Sequence, residues 1–182
     1  MKYYIVDTNI LIDIKKIMLN EKNTNQNRDR GNFDELIKYL TEGEVGIIVV
    51  PTVLKEIKRG SYKDDFLLER FINRFCLVCN FDNDEEKTIE ELYQDYIGGE
   101  FPAIPRFRRD KDHIHYNDND ARILAQATVL YNSNKYDVIK LLTKNIRDFI
   151  NMDRIDKINK KYNFKTLQFN SMRATNVKNE RR

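Results

Sequence analysis

Two apolar runs, Tyr3–Val6 and Val45–Val50, lack the alternation of a half-exposed strand and are rich in aromatic and β-branched side chains. Strands covered on both faces by helices have this pattern, so a parallel sheet is expected. Between these runs the apolar positions switch to helical spacing. Ile10, Ile14, Ile17 and Met18 predict a helix from Asn9 to about Leu19 with those side chains inward. Phe33, Leu36, Ile37 and Leu40 predict a second helix that stops near Gly43. Pro51 and Thr52 open a helix running from Val53 to about Arg59 and ended by Gly60. Another is expected over Asp65–Phe75, with Phe66, Leu67, Phe71 and Phe75 as packing candidates. Leu77–Val78 reads as a short strand, and Asp82–Tyr96 as a helix with Ile89, Leu92, Tyr93 and Tyr96 inward.

The second half continues in the same way. Asn119–Tyr131 is a strong helical pattern around Ala121, Leu124, Ala125 and Thr128. Val138–Leu142 is an apolar strand, Asp153–Tyr162 a short helix and Thr166–Phe169 a last strand. Three stretches lack any period: the polar loop 20–32, the segment 98–117 with Pro102 and Pro105, and a basic tail over 170–182. Alternating strands and helices predict a single three-layer α/β/α domain over residues 1–169 with a mainly parallel sheet. In such sheets ligands collect beyond the carboxyl ends of the strands.

Composition narrows the reading only slightly. The chain has 182 residues, with 32 Lys and Arg against 29 Asp and Glu, for a formal charge of +3. That balance does not mark a nucleic-acid binder, so charge placement carries the argument. No signal peptide and no apolar stretch of membrane length is visible, and a cytoplasmic protein without membrane contact is expected. Cys76 and Cys79 make no disulfide framework. Their spacing is that of half a zinc site, and His113 and His115 add nitrogen donors. No second Cys pair exists, and the histidines stand closer than structural zinc sites use, so buried free thiols are expected instead.

The chemistry concentrates in acidic positions at predicted strand ends and helix starts. Asp7 follows the first strand, with Thr8 and Asn9 beside it. Glu56 lies one turn into the helix after the second strand, Asp120 begins a later helix, and Asp148 follows the penultimate strand near Thr143 and Asn145. Carboxylates brought together repel one another unless a divalent cation joins them. A hard, oxygen-liganded ion, Mg²⁺ or its substitute Mn²⁺, is therefore the expected cofactor, in a site able to activate water against a phosphodiester. Asp118 competes with Asp120 as the ligand, because two residues apart on a helix they point to different faces. Thr8 and Thr143 are placed to hydrogen-bond water or a phosphate oxygen, and Asn9 and Asn145 to orient carboxylates. Each acid also has a plainer role open to it as a helix cap or solvated side chain.

Four short segments resemble the PIN-domain nucleases, particularly VapC-type toxin ribonucleases. They are Val6-Asp7-Thr8-Asn9-Ile10-Leu11-Ile12-Asp13, Pro51-Thr52-Val53-Leu54-Lys55-Glu56-Ile57, Asn119-Asp120-Ala121-Arg122-Ile123-Leu124-Ala125 and Leu141-Leu142-Thr143-Lys144-Asn145-Ile146-Arg147-Asp148-Phe149. The resemblance spans about residues 3–169 and places the family's acidic ligands on Asp7, Glu56, Asp120 and Asp148. Many family members have an aspartate where this chain has Asn145, which implies three firm acidic ligands and one shifted or outer-sphere carboxylate. It further implies the strand order 3-2-1-4-5 and hydrolysis of RNA by metal-activated water to leave a 5′-phosphate and a 3′-hydroxyl. A cognate antitoxin covering the acidic cleft and a homodimer are implied as well.

Basic residues supply the expected substrate contacts. Arg106, Arg108, Arg109 and Lys111 crowd the segment before the Asp120 helix, with Phe107 among them to stack on an unpaired base. Lys58 and Arg59 form a second basic rim near Glu56. The competing functional classes are a PIN nuclease that acts on RNA or structured DNA without an antitoxin, and a noncatalytic RNA-binding protein of the same fold.

Overall fold

Strand β1 (Lys2–Val6) lies at the centre of the sheet, and its inner residues Ile5 and Val6 are completely buried. The computed structural model describes residues 1–18, 30–59, 65–98, 116–143 and 152–171. After β1 come α1 (Thr8–Met18), α2 (Arg30–Thr41), β2 (Val45–Val49), α3 (Pro51–Arg59), α4 (Phe66–Phe75) and β3 (Cys76–Val78). Then follow α5 (Asn83–Ile97), α6 (Tyr116–Asn132), β4 (Asp137–Thr143), α7 (Met152–Lys161) and β5 (Phe169–Ser171). Four parallel strands make the body of the sheet in the order β3-β2-β1-β4, and the three-residue β5 extends the β4 edge. One helical group joins α1 to α2, α3 and α4, while α5 packs on α6 and α7. The expected parallel, helix-covered sheet is present.

Register matters at one point. β1 pairs with β4 as Tyr3↔Val138 and then Tyr4↔Lys140, so Ile139 is an extra residue on β4. Beyond this bulge Val6 faces Leu142.

Several elements differ from the pattern-based expectation for physical reasons. In α4 the apolar side chains of Phe66 and Leu67 are exposed, at 65% and 46%, while Leu68, Phe71 and Ile72 are buried. The inner face follows the 68-71-72 spacing, and Phe66 sits under the Arg70 guanidinium, 5.9 Å from its ring centre. Helix α6 begins at Tyr116, three residues before the expected start at Asn119. Helix α2 already includes Arg30, Gly31 and Asn32, which had been placed in the polar loop. Strand β5 includes Asn170 and Ser171, which had been placed in the tail, and omits Thr166 to Gln168. In α1, Leu11 and Ile12 are buried along with Ile10 and Ile14, because the helix is covered on more than one side.

Polar clamps fix the helices. Asp82 and Glu85 form a reciprocal capping box at the start of α5, whose end is closed by Gly98 at φ +115°. Tyr96 is fully buried and donates its hydroxyl to Asn159 Oδ1 at 2.6 Å, with Thr128 Oγ1 at 3.3 Å, joining α5, α7 and α6. Next to it, buried Asp95 accepts from Lys161 Nζ at 3.0 Å and from the Tyr162 hydroxyl at 2.8 Å. Burial, together with that donated bond to Asp95, pushes the Tyr162 phenol up to about 12.

A second clamp links α1 to the start of α4. Lys15, only 4% exposed, reaches Asp65 Oδ2 at 2.9 Å, while Asp65 Oδ1 caps the Leu68 N–H at 2.9 Å. Burial alone would raise the Asp65 pKa, but the bonds from Lys15 and the Leu68 amide, with the lysine charge, outweigh it and hold the carboxyl below its ordinary 3.8. A depressed carboxyl stabilises the fold fully above its unfolded value and loses that contribution as pH falls through the folded value. Lys15→Met keeps the stem packing and removes the partner. It is expected to cost on the order of 2 kcal/mol at pH 7, below the range for fully buried pairs because Asp65 still touches water. Urea titrations should show the difference between wild type and variant shrinking below about pH 3.8.

Candidate functional site

At the carboxyl edge of the sheet, hydroxyl–carboxylate contacts pair Asp7 with Thr143 and Thr8 with Glu56. Asp7 occupies the position between β1 and α1, held by its own N–H to Leu142 O at 3.1 Å. Its carbonyl accepts the Leu11 N–H at 3.1 Å, the first turn of α1. The Asp7 side chain is 7% exposed and uses its two oxygens differently. Oδ1 accepts the Ile10 N–H at 2.8 Å and so caps α1, while Oδ2 accepts from Thr143 Oγ1 at 2.5 Å. The capping role is therefore real and coexists with a second contact. A buried carboxylate requires such donors, and the positive end of α1 adds to them.

Thr143 is fully buried at the last position of β4, directly beside Asp7. The neighbouring Thr8, on the first turn of α1, donates its hydroxyl to Glu56 Oε2 on α3. Asp7, Thr8, Glu56 and Thr143 are thus joined by two hydroxyl–carboxylate contacts across three elements. Asn9 is exposed on the first turn of α1, and Lys58 and Arg59 are exposed at the end of α3.

Asp120 is half-buried on α6, next to Ala121, Leu124 and Ala125, whose side chains are buried in the core. Helix α6 leads into β4 through a short connection, so its start lies at the carboxyl end of that strand. The length agrees: Asp120 to Asn132 rises roughly 18 Å along a helix, close to the roughly 20 Å of a seven-residue strand. A bond absent from the sequence reading links this helix to α3. Gln126 is 3% exposed and its Oε1 accepts the Thr52 N–H at 3.2 Å, satisfying a donor at the start of α3. Glu56 stands four residues beyond Thr52 and Asp120 six residues before Gln126, roughly 6 Å and 9 Å along their helices. The one signal for Gln126 was a polar residue inside the apolar run Ala121–Leu130.

Other sequence-derived positions lie outside the described residues. These are Asp148 and Asn145, the basic cluster Arg106, Phe107, Arg108, Arg109 and Lys111, the pair His113 and His115, and the side chain of Asp118. Among the described residues, no three His, Cys, Asp or Glu side chains stand together as a ready metal cradle. The donor set still suits a hard cation: Asp7, Glu56, Thr8 and Thr143 present only oxygen, with no sulfur or imidazole. The cysteines behave as buried thiols. Burial pushes both Cys76 and Cys79 up to about 12, and both are free thiols. No helix among the described residues is long and apolar enough to cross a membrane.

No family model matches the chain, and no curated protein matches it. Among solved structures it is similar to a chain in the crystal structure of VapBC2 from Rickettsia felis bound to a DNA fragment from their promoter. The two share 15% identity with a TM-score of 0.51, over 93% of this chain and 98% of that one. At that identity the likeness shows a shared fold.

Proposed function

We propose that this chain is a metal-dependent endoribonuclease of the PIN type, the toxin of a toxin–antitoxin pair. The observation that carries the reading is the junction of Asp7, Thr8, Glu56 and Thr143 at the carboxyl edge of a parallel sheet. The four motifs in order and the likeness to a VapBC2 chain support the same assignment.

In this reading Asp7, Glu56 and Asp120 hold Mg²⁺ or Mn²⁺, with Asp148 as the fourth carboxylate and Asp118 as the competitor of Asp120. A cation bound there would neutralise charge on the phosphoryl oxygens and make a water more acidic. Thr143 fixes the orientation of the Asp7 carboxylate through their 2.5 Å bond, and Thr8 does the same for Glu56. Asn9 and Asn145 orient neighbouring carboxylates. Arg106, Arg108, Arg109 and Lys111, together with Lys58 and Arg59, bind the RNA backbone, and Phe107 stacks on a base. The products carry a 5′-phosphate and a 3′-hydroxyl. A cognate antitoxin covers the acidic edge, and the working unit is a homodimer.

The test is direct. Purified protein incubated with single-stranded RNA should yield discrete fragments in Mg²⁺ or Mn²⁺. Excess EDTA should stop the reaction and added Mn²⁺ should restore it. Cleavage that continues unchanged in EDTA would remove the metal-dependent assignment.

A further inference from the structure

Helix α3 carries a second feature on a different side from Glu56. A cleft of about 320 Å³ opens between this helix and residues Val78 to Asn80, just past the end of β3. Its floor is apolar, from half-buried Leu54 and Val78. Its rim is formed by the exposed cations Lys55, Lys58 and Arg59, with the exposed amide of Asn80 across from them. None of the described residues lining it is acidic. The volume lies at the lower end of the range typical for small-ligand sites, roughly 300–1,000 Å³.

We infer that this cleft holds one unpaired nucleotide of an RNA strand that continues from the acidic edge. Three features favour that occupant. Leu54, Lys55 and Lys58 share one side of α3, while Glu56 follows Lys55 by one residue, a turn of about 100° around the helix axis. Glu56 stands about 160° around the helix from Leu54 and Lys58, and the strand reaches the cleft along the carboxyl end of the sheet, where Cys79 N–H bonded to Val49 O at 3.2 Å keeps the far wall. Three cations with no carboxylate among the described lining residues complement consecutive phosphates. An apolar floor with one amide accepts the face and edge of a base, which a duplex keeps stacked and paired. The inference rests on the nuclease reading for the direction of the strand, but its binding chemistry does not require catalysis.

The experiment measures binding in EDTA, where cleavage plays no part. Fluorescence anisotropy of a labelled eight-nucleotide single-stranded RNA is compared for wild type, Lys55→Ala/Lys58→Ala and Asn80→Trp, each checked for native circular dichroism. The double variant should bind about tenfold or more weakly, and its log Kd against log salt slope should fall by about 1.4, for two lost phosphate contacts. Asn80→Trp fills the cleft without changing charge, so affinity should fall while the salt slope stays unchanged. Equal affinity in all three proteins would overturn the inference, as would equally tight binding of the same sequence as a duplex. Tight binding of labelled poly-glutamate with no measurable RNA binding would overturn the inference and assign the cleft to an acidic protein segment. Wild-type protein that binds the RNA in EDTA but shows no metal-dependent cleavage removes the nuclease reading alone, so the two failures are distinguishable.

Discussion

Asp7→Asn should reduce metal-dependent RNA cleavage by on the order of 1,000-fold while leaving the fold intact. The substitution removes the charge but keeps a side-chain oxygen that can cap the Ile10 N–H, now 2.8 Å away. Capping is therefore preserved, and only a small change in melting temperature is expected. The loss in rate follows from charge stabilisation of several kcal/mol in a nearly dry site, at about 1.4 kcal/mol per tenfold. Single-turnover assays in Mn²⁺, with calorimetric titration of Mn²⁺ in parallel, separate loss of the cation from loss of folding. Full activity in a highly purified Asp7→Asn protein would place the centre elsewhere.

The largest effect on stability is expected at Tyr96, far from the acidic edge. Its ring is completely enclosed and its hydroxyl ties three helices together through Asn159 and Thr128. Tyr96→Ala leaves a cavity and should cost about 3–5 kcal/mol. Tyr96→Phe retains the ring but strands the buried Asn159 acceptor, for about 1–3 kcal/mol. Whole domains are stable by only about 5–15 kcal/mol, so the alanine variant approaches the limit of folding. Urea denaturation followed by circular dichroism resolves both changes. A cost under 1 kcal/mol for Tyr96→Ala would mean that this junction is not packed as described.

The architecture was legible where burial alone decides the pattern. Val45–Val50 has no polar alternation because helices cover both faces of β2, and Ile89, Leu92, Tyr93 and Tyr96 are all inward on α5. The pattern misled where an element ends. Phe66 and Leu67 carry apolar side chains on the outer side of the first turn of α4, where Leu68 takes the core position, so hydrophobicity there reported nothing about packing. The start of α6 was hidden by Tyr116-Asn117-Asp118, which show no helical period. In the candidate site, Asp7 and Thr143 were each visible as a strand end. Their 2.5 Å contact was not, because it depends on which strands become neighbours in the sheet. Gln126 was missed altogether: nothing local says that a lone amide in α6 will satisfy the first turn of α3.

The supernumerary Ile139 has a consequence for how β4 delivers its last side chain. Were Ile139 paired in step with Tyr4 instead of bulged out, every later residue of β4 would lag by one, and Leu142 rather than Thr143 would stand alongside Asp7. An aliphatic group would then adjoin a carboxylate that has little access to solvent. The bulge works as a slip joint: the first half of β4 keeps step with the amino end of β1, and the second half is indexed afresh from Tyr4 onward. The two ends of the strand are consequently decoupled, and changes in length near Asp137 can be absorbed before they reach the hydroxyl that steers Asp7.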